Sequence, residues 1–310
     1  MTDLSHRRSL EFQESASAQR IAGHVTRVLA AIWAMAWLLC LAPLPAQSER
    51  APSMARAYRE IGGDSLYAYV FLPPGRREGD KANAILLFHG GGWSRGEPAW
   101  TFVTAQRFAD SGLVAVAVQY RLSTGDVTPI DALNDACAAF AWIRSQAAEF
   151  GLTGLVAGYG VSAGGHLVAA TATVGCPGKS VGPDALLLWS PALDPVGDGW
   201  FARLLQGRAT AADLSPARHV GPSTPPTCVV HGNKDTLTPL AGVRRYCAAM
   251  DALGQRCEVH VYPGVGHLLT RNLTNQESDF DPDPVARADG IAQQQRFLRS
   301  LGFVSADVPR

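Results

Sequence analysis

The chain reads as an α/β protein with a mostly parallel central sheet and helices on both faces. Three observations carry that expectation. Short apolar runs alternate with helix-length stretches from Tyr58 onward. Runs such as Ala84–Phe88 and Leu113–Val118 are apolar without interruption, as strands buried on both faces must be. The residues with reactive side chains fall just after such runs, at the carboxyl ends of strands, where ligands gather in open α/β sheets. The 310 residues are 47% hydrophobic, with 27 basic and 27 acidic side chains. Zero formal charge gives no electrostatic case for nucleic acid or an anionic membrane surface as a partner.

In chain order, residues 1–46 have the layout of a signal peptide. Arg7, Arg8, Arg20 and Arg27 precede the apolar run Val28–Leu41, and Ala42-Pro43-Leu44-Pro45-Ala46 follows it; these are a basic region, an apolar core and a small-residue exit. The run is shorter than the roughly 20 residues a spanning helix needs, so cleavage after Ala46 and a secreted or periplasmic product are expected. The alternative is an uncleaved anchor through residues 28–41, the only route to membrane contact. Residues 47–310 are then one domain.

Leu66–Leu72 reads as the first strand, stopped by Pro73-Pro74-Gly75, and Ala84–Phe88 as the next. Pro98–Asp110 is helical up to Gly112, Leu113–Val118 is a strand, and a long helix is expected from Pro129 to Phe150. Strands follow at Leu155–Ala157, Ala185–Trp189, Thr227–His231 and Glu258–Tyr262, with a last helix over Gly290–Leu301. Five cysteines lie beyond the signal segment, and Cys247 and Cys257 are the candidate pair in an oxidising compartment; small buried apolar groups are the alternative. No Cys or His spacing marks a metal site, and no cofactor is expected.

Gly160-Val161-Ser162-Ala163-Gly164 matches G-x-S-x-G between an apolar run and a helix-forming segment. A serine there sits on a tight strand-to-helix turn whose flanking glycines relieve backbone crowding. His89-Gly90-Gly91-Gly92-Trp93 follows the Ala84 strand, Asp235 the Thr227 strand and His267 the Glu258 strand. The order Ser162, Asp235, His267 is that of nucleophile, acid and base in this architecture.

With those residues in view, the chain from Tyr58 to Phe303 resembles the α/β-hydrolases of the esterase and lipase kind. The His-Gly-Gly-Gly stretch and Tyr120-Arg121-Leu122 are similar to the hormone-sensitive-lipase-like carboxylesterases, although Val161 stands where that branch usually has an acidic residue. His231–Pro239 resembles the acid-bearing loop of bacterial carbohydrate esterases and feruloyl-esterase-like enzymes. Trp93 also fits the His-Gly-Gly-x-Trp of kynurenine formamidases, which leaves an amidase reading open. A binding protein on the same fold is the alternative outside catalysis.

The resemblance implies a triad in which His267 takes the Ser162 proton and Asp235 orients the imidazole. The N–H groups of Gly91, Gly92 and Ala163 are the oxyanion-hole candidates. Asp194, after the Ala185 strand, is the rival acid. His89 reads as a loop organiser, His166 as a residue of the helix after the serine, and His231 and His260 as strand histidines. Trp93, Tyr120 and Trp189 are the candidate substrate-binding residues, with Trp200 weighed beside them. Ser190–Pro226 leaves room for only a small lid, which favours a small-molecule ester with a short acyl group, acylated carbohydrate included.

Overall fold

The computed structural model describes residues 51–178 and 182–304, so the expected signal segment lies outside the described residues. Eight strands form one sheet: β1 (Met54–Ile61), β2 (Asp64–Phe71), β3 (Ala82–Phe88), β4 (Val114–Val118), β5 (Leu152–Val161), β6 (Ala185–Trp189), β7 (Thr227–Gly232) and β8 (Cys257–Tyr262). Their order is β1-β2-β4-β3-β5-β6-β7-β8. β2 runs antiparallel to both of its neighbours, and every pair from β4 to β8 is parallel. The helices are α1 (Phe102–Asp110), α2 (Pro129–Ser145), α3 (Ala163–Thr173), α4 (Gly199–Leu204), α5 (Leu240–Asp251) and α6 (Pro284–Ser300).

The uninterrupted apolar runs are explained by a core on each side of the sheet. Ala84, Leu86 and Phe88 of β3 pack with α2, α3 and α5, while Ile85 and Leu87 pack with α1 and α6. All five are fully buried, as strand alternation between two covered faces requires.

Helix starts follow local chemistry. α2 begins with a reciprocal Thr128/Asp131 capping box and Pro129 in its first turn. At α6 the Asp283 carboxylate accepts from Val285 N and Ala286 N, so the helix begins at Pro284, ahead of the expected Gly290. α2 stops at Ser145 rather than Phe150, where Gln146–Gly151 close in turns.

β1 is absent from the sequence expectation because it is a largely exposed edge strand without a clean apolar alternation. Cys247–Cys257 is bonded, and so is Cys137–Cys176, which ties α2 to the chain just past α3; Cys228 is free and buried.

Candidate active site

The site is built at the carboxyl ends of β3, β5, β7 and β8. Between β5 and α3, Ser162 is held at φ 52° and ψ −117°, left-handed backbone that costs a non-glycine residue free energy and persists only where its surroundings enforce it. They do: a Cβ on Gly160 would lie 2.4 Å from Gly164 O, and one on Gly164 would lie 2.2 Å from Phe88 O. Two glycines thus let the strand, the turn and the end of β3 close on one another. Ser162 N donates to Trp189 O at 2.9 Å, which anchors the turn to β6.

His267 follows β8, and its Nε2 lies 3.0 Å from Ser162 Oγ. Its Nδ1 lies 2.8 Å from Asp235 Oδ2, in the loop after β7. Both side chains are buried. Asp235 Oδ1 accepts from Leu237 N at 3.0 Å and Thr238 N at 2.8 Å, and Thr238 Oγ1 lies 2.9 Å from Oδ2. Burial pushes this carboxyl up; the hydrogen bond from His267, the neighbouring imidazoles and the Thr238 N–H outweigh it, and the net direction is down. An ionised Asp235 assigns the imidazole proton to Nδ1, leaving the Nε2 lone pair facing the serine hydroxyl.

Gln276, unmarked by any motif, joins the acid and base loops. Its Oε1 accepts from His267 N at 2.8 Å and Thr236 N at 3.2 Å, and its Nε2 donates to Lys234 O at 2.9 Å. It is buried, although the neighbouring residues 277–281 are exposed. His231 is fully buried on β7, with Nε2 3.6 Å from Asp235 Oδ2. Burial lowers its pKa most; Asp235 raises it and His267 lowers it.

The glycine loop after β3 leans over the serine. A Cβ on Gly90 would meet Ser162 Cβ at 3.2 Å. Gly91 turns the chain at φ 117°, and its carbonyl accepts from Ser94 N and Arg95 N. Ala163 opens α3, so its N–H lies in the first turn, where intrahelical acceptors are lacking.

His89 organises this loop: Tyr120 stacks on its ring at 4.4 Å and donates its hydroxyl to His89 O at 2.8 Å. The next residue, Arg121, forks onto Asp135 of α2 at 2.9 and 3.0 Å. Burial lowers the His89 pKa to about 4, against a raising bond with Gly90 O. Beneath the serine, His166 Nδ1 accepts from Trp93 Nε1 at 3.2 Å, and Nε2 donates to Leu214 O at 2.8 Å. Burial lowers the His166 pKa to about 4 as well.

The expected aromatic lining is placed differently. Trp93, Tyr120 and Trp189 are 4%, 2% and 7% exposed. Trp93 packs on His166 and Phe201, Tyr120 on His89 and Phe88, and Trp189 faces Gly290 of α6. Their bulk is used in packing, and little of each ring is left exposed. Trp200 on α4 is 45% exposed, and its indole N–H donates to Gly92 O at 3.0 Å, which puts an open aromatic face beside the glycine loop. The rival acid Asp194 is engaged elsewhere, by Arg245 at 2.7 Å and Ser215 Oγ at 2.8 Å.

An α/β-hydrolase fold family model matches residues 85–200, and a prolyl oligopeptidase family model matches 186–281. The chain is 23% identical to the probable carboxylic ester hydrolase LipM of Mycobacterium tuberculosis over 74% of its own length and 66% of the relative's. It is 32% identical to carboxylesterase NlhH of the same organism, over 49% of this chain and 48% of NlhH. It thus spans about half to two thirds of these curated relatives. Among solved structures, esterase 2 of Thermogutta terrifontis phosphoramylated by tabun superposes with a TM-score of 0.73 at 29% identity, over 86% of this chain and all of that one. The same esterase phosphonylated by cyclosarin gives a TM-score of 0.71 at 30% identity, over 83% of this chain and 96% of that one. On that coverage, together with the G-x-S-x-G turn and the sheet order, this chain belongs to the α/β-hydrolase family.

Proposed function

We propose that the protein is a serine esterase that hydrolyses carboxylic esters with short acyl groups through an acyl-enzyme. The observation that carries this reading is the unbroken relay from Ser162 Oγ to His267 Nε2 at 3.0 Å and from His267 Nδ1 to Asp235 Oδ2 at 2.8 Å. Ser162 Oγ attacks the ester carbonyl carbon while its proton passes to His267 Nε2. The oxyanion is received by N–H groups of Gly91, Gly92 and Ala163. Collapse breaks the acyl–oxygen bond, and the departing alkoxide takes the His267 proton. Water, deprotonated by the same imidazole, then releases the acid and restores Ser162. Asp235 stays ionised and stabilises the imidazolium.

Short acyl groups are supported by the small insertion between β6 and β7, which holds only α4 and a 3-10 turn. They are also supported by the Thermogutta esterase 2 structures with propionate and with butyrate bound. Trp200 offers its exposed face to the alcohol portion, which supports an acylated sugar or aryl alcohol there. The two disulfides support the expected export after Ala46; intact mass of the exported protein should begin at Gln47.

The reading is tested with p-nitrophenyl esters from acetate to decanoate on the wild type and Ser162→Ala. Acetate to butyrate should give the highest kcat/KM, falling about tenfold or more by octanoate, and Ser162→Ala should lose at least about 10⁴-fold. Equal rates in the two proteins would sink the catalytic reading, and a preference for N-formylkynurenine over every ester would replace ester by amide hydrolysis.

A further inference from the structure

Away from Ser162, the fold gathers three ligand-type side chains that no sequence spacing marks. Cys228 on β7 stands directly opposite Glu258 on β8, and His260 lies two residues on along β8, so all three project from one face of the β7/β8 pair. A donor atom from each lies within 4.8 Å of the other two. His260 Nε2 is 3.7 Å from Glu258 Oε2 and is buried without a hydrogen-bond partner. Cys228 is free and fully buried. Glu258 commits Oε1 to Arg256, at 2.8 and 2.5 Å, and makes no such bond through Oε2.

We propose that Cys228, Glu258 and His260 form a site for a borderline-soft divalent ion, zinc foremost, that clips β7 to β8. One sulfur, one imidazole nitrogen and one carboxylate oxygen are a donor set that zinc accepts, with water in the fourth tetrahedral position. Ligand atoms around tetrahedral zinc stand roughly 3.3–3.8 Å apart, from bonds of about 2.0–2.3 Å, so the nitrogen and oxygen are already at spacing and the sulfur needs only a small approach.

Charge balances. The ion displaces the Cys228 thiol proton to solvent, and thiolate plus carboxylate neutralise two positive charges. Entry is from the sheet edge, since β8 is the terminal strand and the Glu258 and His260 side chains keep 36% and 23% exposure. The clip lies in the two strands whose carboxyl ends lead to Asp235 and His267, so it is a stabilising element remote from the ester chemistry and independent of that reading.

The test uses the full chain with disulfides intact, dialysed against a chelator and titrated with Co²⁺ as a spectroscopic probe. One equivalent should develop a thiolate-to-cobalt charge-transfer band, release one proton per ion and yield the band to Zn²⁺. Zn²⁺ should raise the melting temperature by several degrees, as ligand linkage requires. Cys228→Ser should abolish the band. Because Cys228 is buried, His260→Gln on the edge strand serves as the second variant, with Co²⁺ affinity reduced about 10- to 100-fold. A wild type with no band, or a band that survives Cys228→Ser, overturns the site.

Discussion

Ser162 and His267 meet at 3.0 Å, but the two halves of the site are held by different kinds of contact. On the nucleophile side, placement is mostly local: Gly160, Ser162 and Gly164 force the turn, and Gly90 closes against it from the neighbouring strand end. On the acid–base side nothing local suffices. Asp235 and His267 lie 32 residues apart, and their loops are joined by Gln276 and by Thr238, whose Oγ1 lies 2.9 Å from Asp235 Oδ2 and 3.2 Å from His267 Nδ1. Backbone geometry thus specifies the Ser162 turn, while the placement of Asp235 and His267 depends on buried side-chain hydrogen bonds that single substitutions can remove.

The largest effect is expected where the relay itself is cut. Asp235→Asn should lower kcat by about 10⁴-fold, because an amide can donate to Nδ1 and favour the wrong tautomer; steady-state kinetics at saturating ester checks it. A loss below tenfold would return Asp194 to consideration.

Acid should weaken the nucleophile side first. His89 and His166, both beside the nucleophile loops, have pKa values lowered to about 4 by burial. Between the unfolded value of about 6.5 and that value, the unfolded chain binds more protons than the folded one, so stability is full above about pH 6.5 and falls as pH drops toward 4. The loss should be on the order of 3 kcal/mol per histidine at most, read by denaturant melts at pH 7.5, 5.5 and 4.5. Asp235, held below its ordinary 3.8, adds its own loss only below this window.

Gln276→Ala should lower kcat about 10- to 100-fold with KM little changed, since small misplacements of a general base carry costs of that size. Gln276→Glu keeps the acceptor for His267 N and Thr236 N, so it should recover part of the loss. An unchanged kcat in Gln276→Ala would show that the two loops are held without the bridge. Smallest of all, Arg95→Ala removes an exposed 3.4 Å pair with Glu277 that links the glycine loop to the base loop, and should change kcat/KM by less than about twofold.

The same contrast explains what the sequence made legible. Strands β3, β4 and β6 stood out because burial on both faces leaves apolar runs, and Ser162 because its turn needs glycines at fixed spacing. Asp235 and His267 were readable from position after strands and from family resemblance. Gln276 was not, because its role exists only once a loop of exposed neighbours folds back onto His267 N. β1 escaped notice because an exposed edge strand carries little apolar pattern. The burial of Trp93, Tyr120 and Trp189 was not legible, because composition does not say which face of the sheet or loop a ring will fill.

The cysteine arrangement has a consequence for how the chain reaches this state. Cys137–Cys176 and Cys247–Cys257 close spans of 39 and 10 residues, which by loop entropy stabilise the fold by about 4 and 3 kcal/mol. Between them in the chain stands Cys228, whose thiol is shielded only when β7 is seated between β6 and β8. Until that strand docks, three nearby thiols in the carboxyl-terminal half compete, and the short Cys247–Cys257 loop closes with the smaller entropic cost. Seating β7 between β6 and β8 is what takes the Cys228 thiol out of reach of the other cysteines.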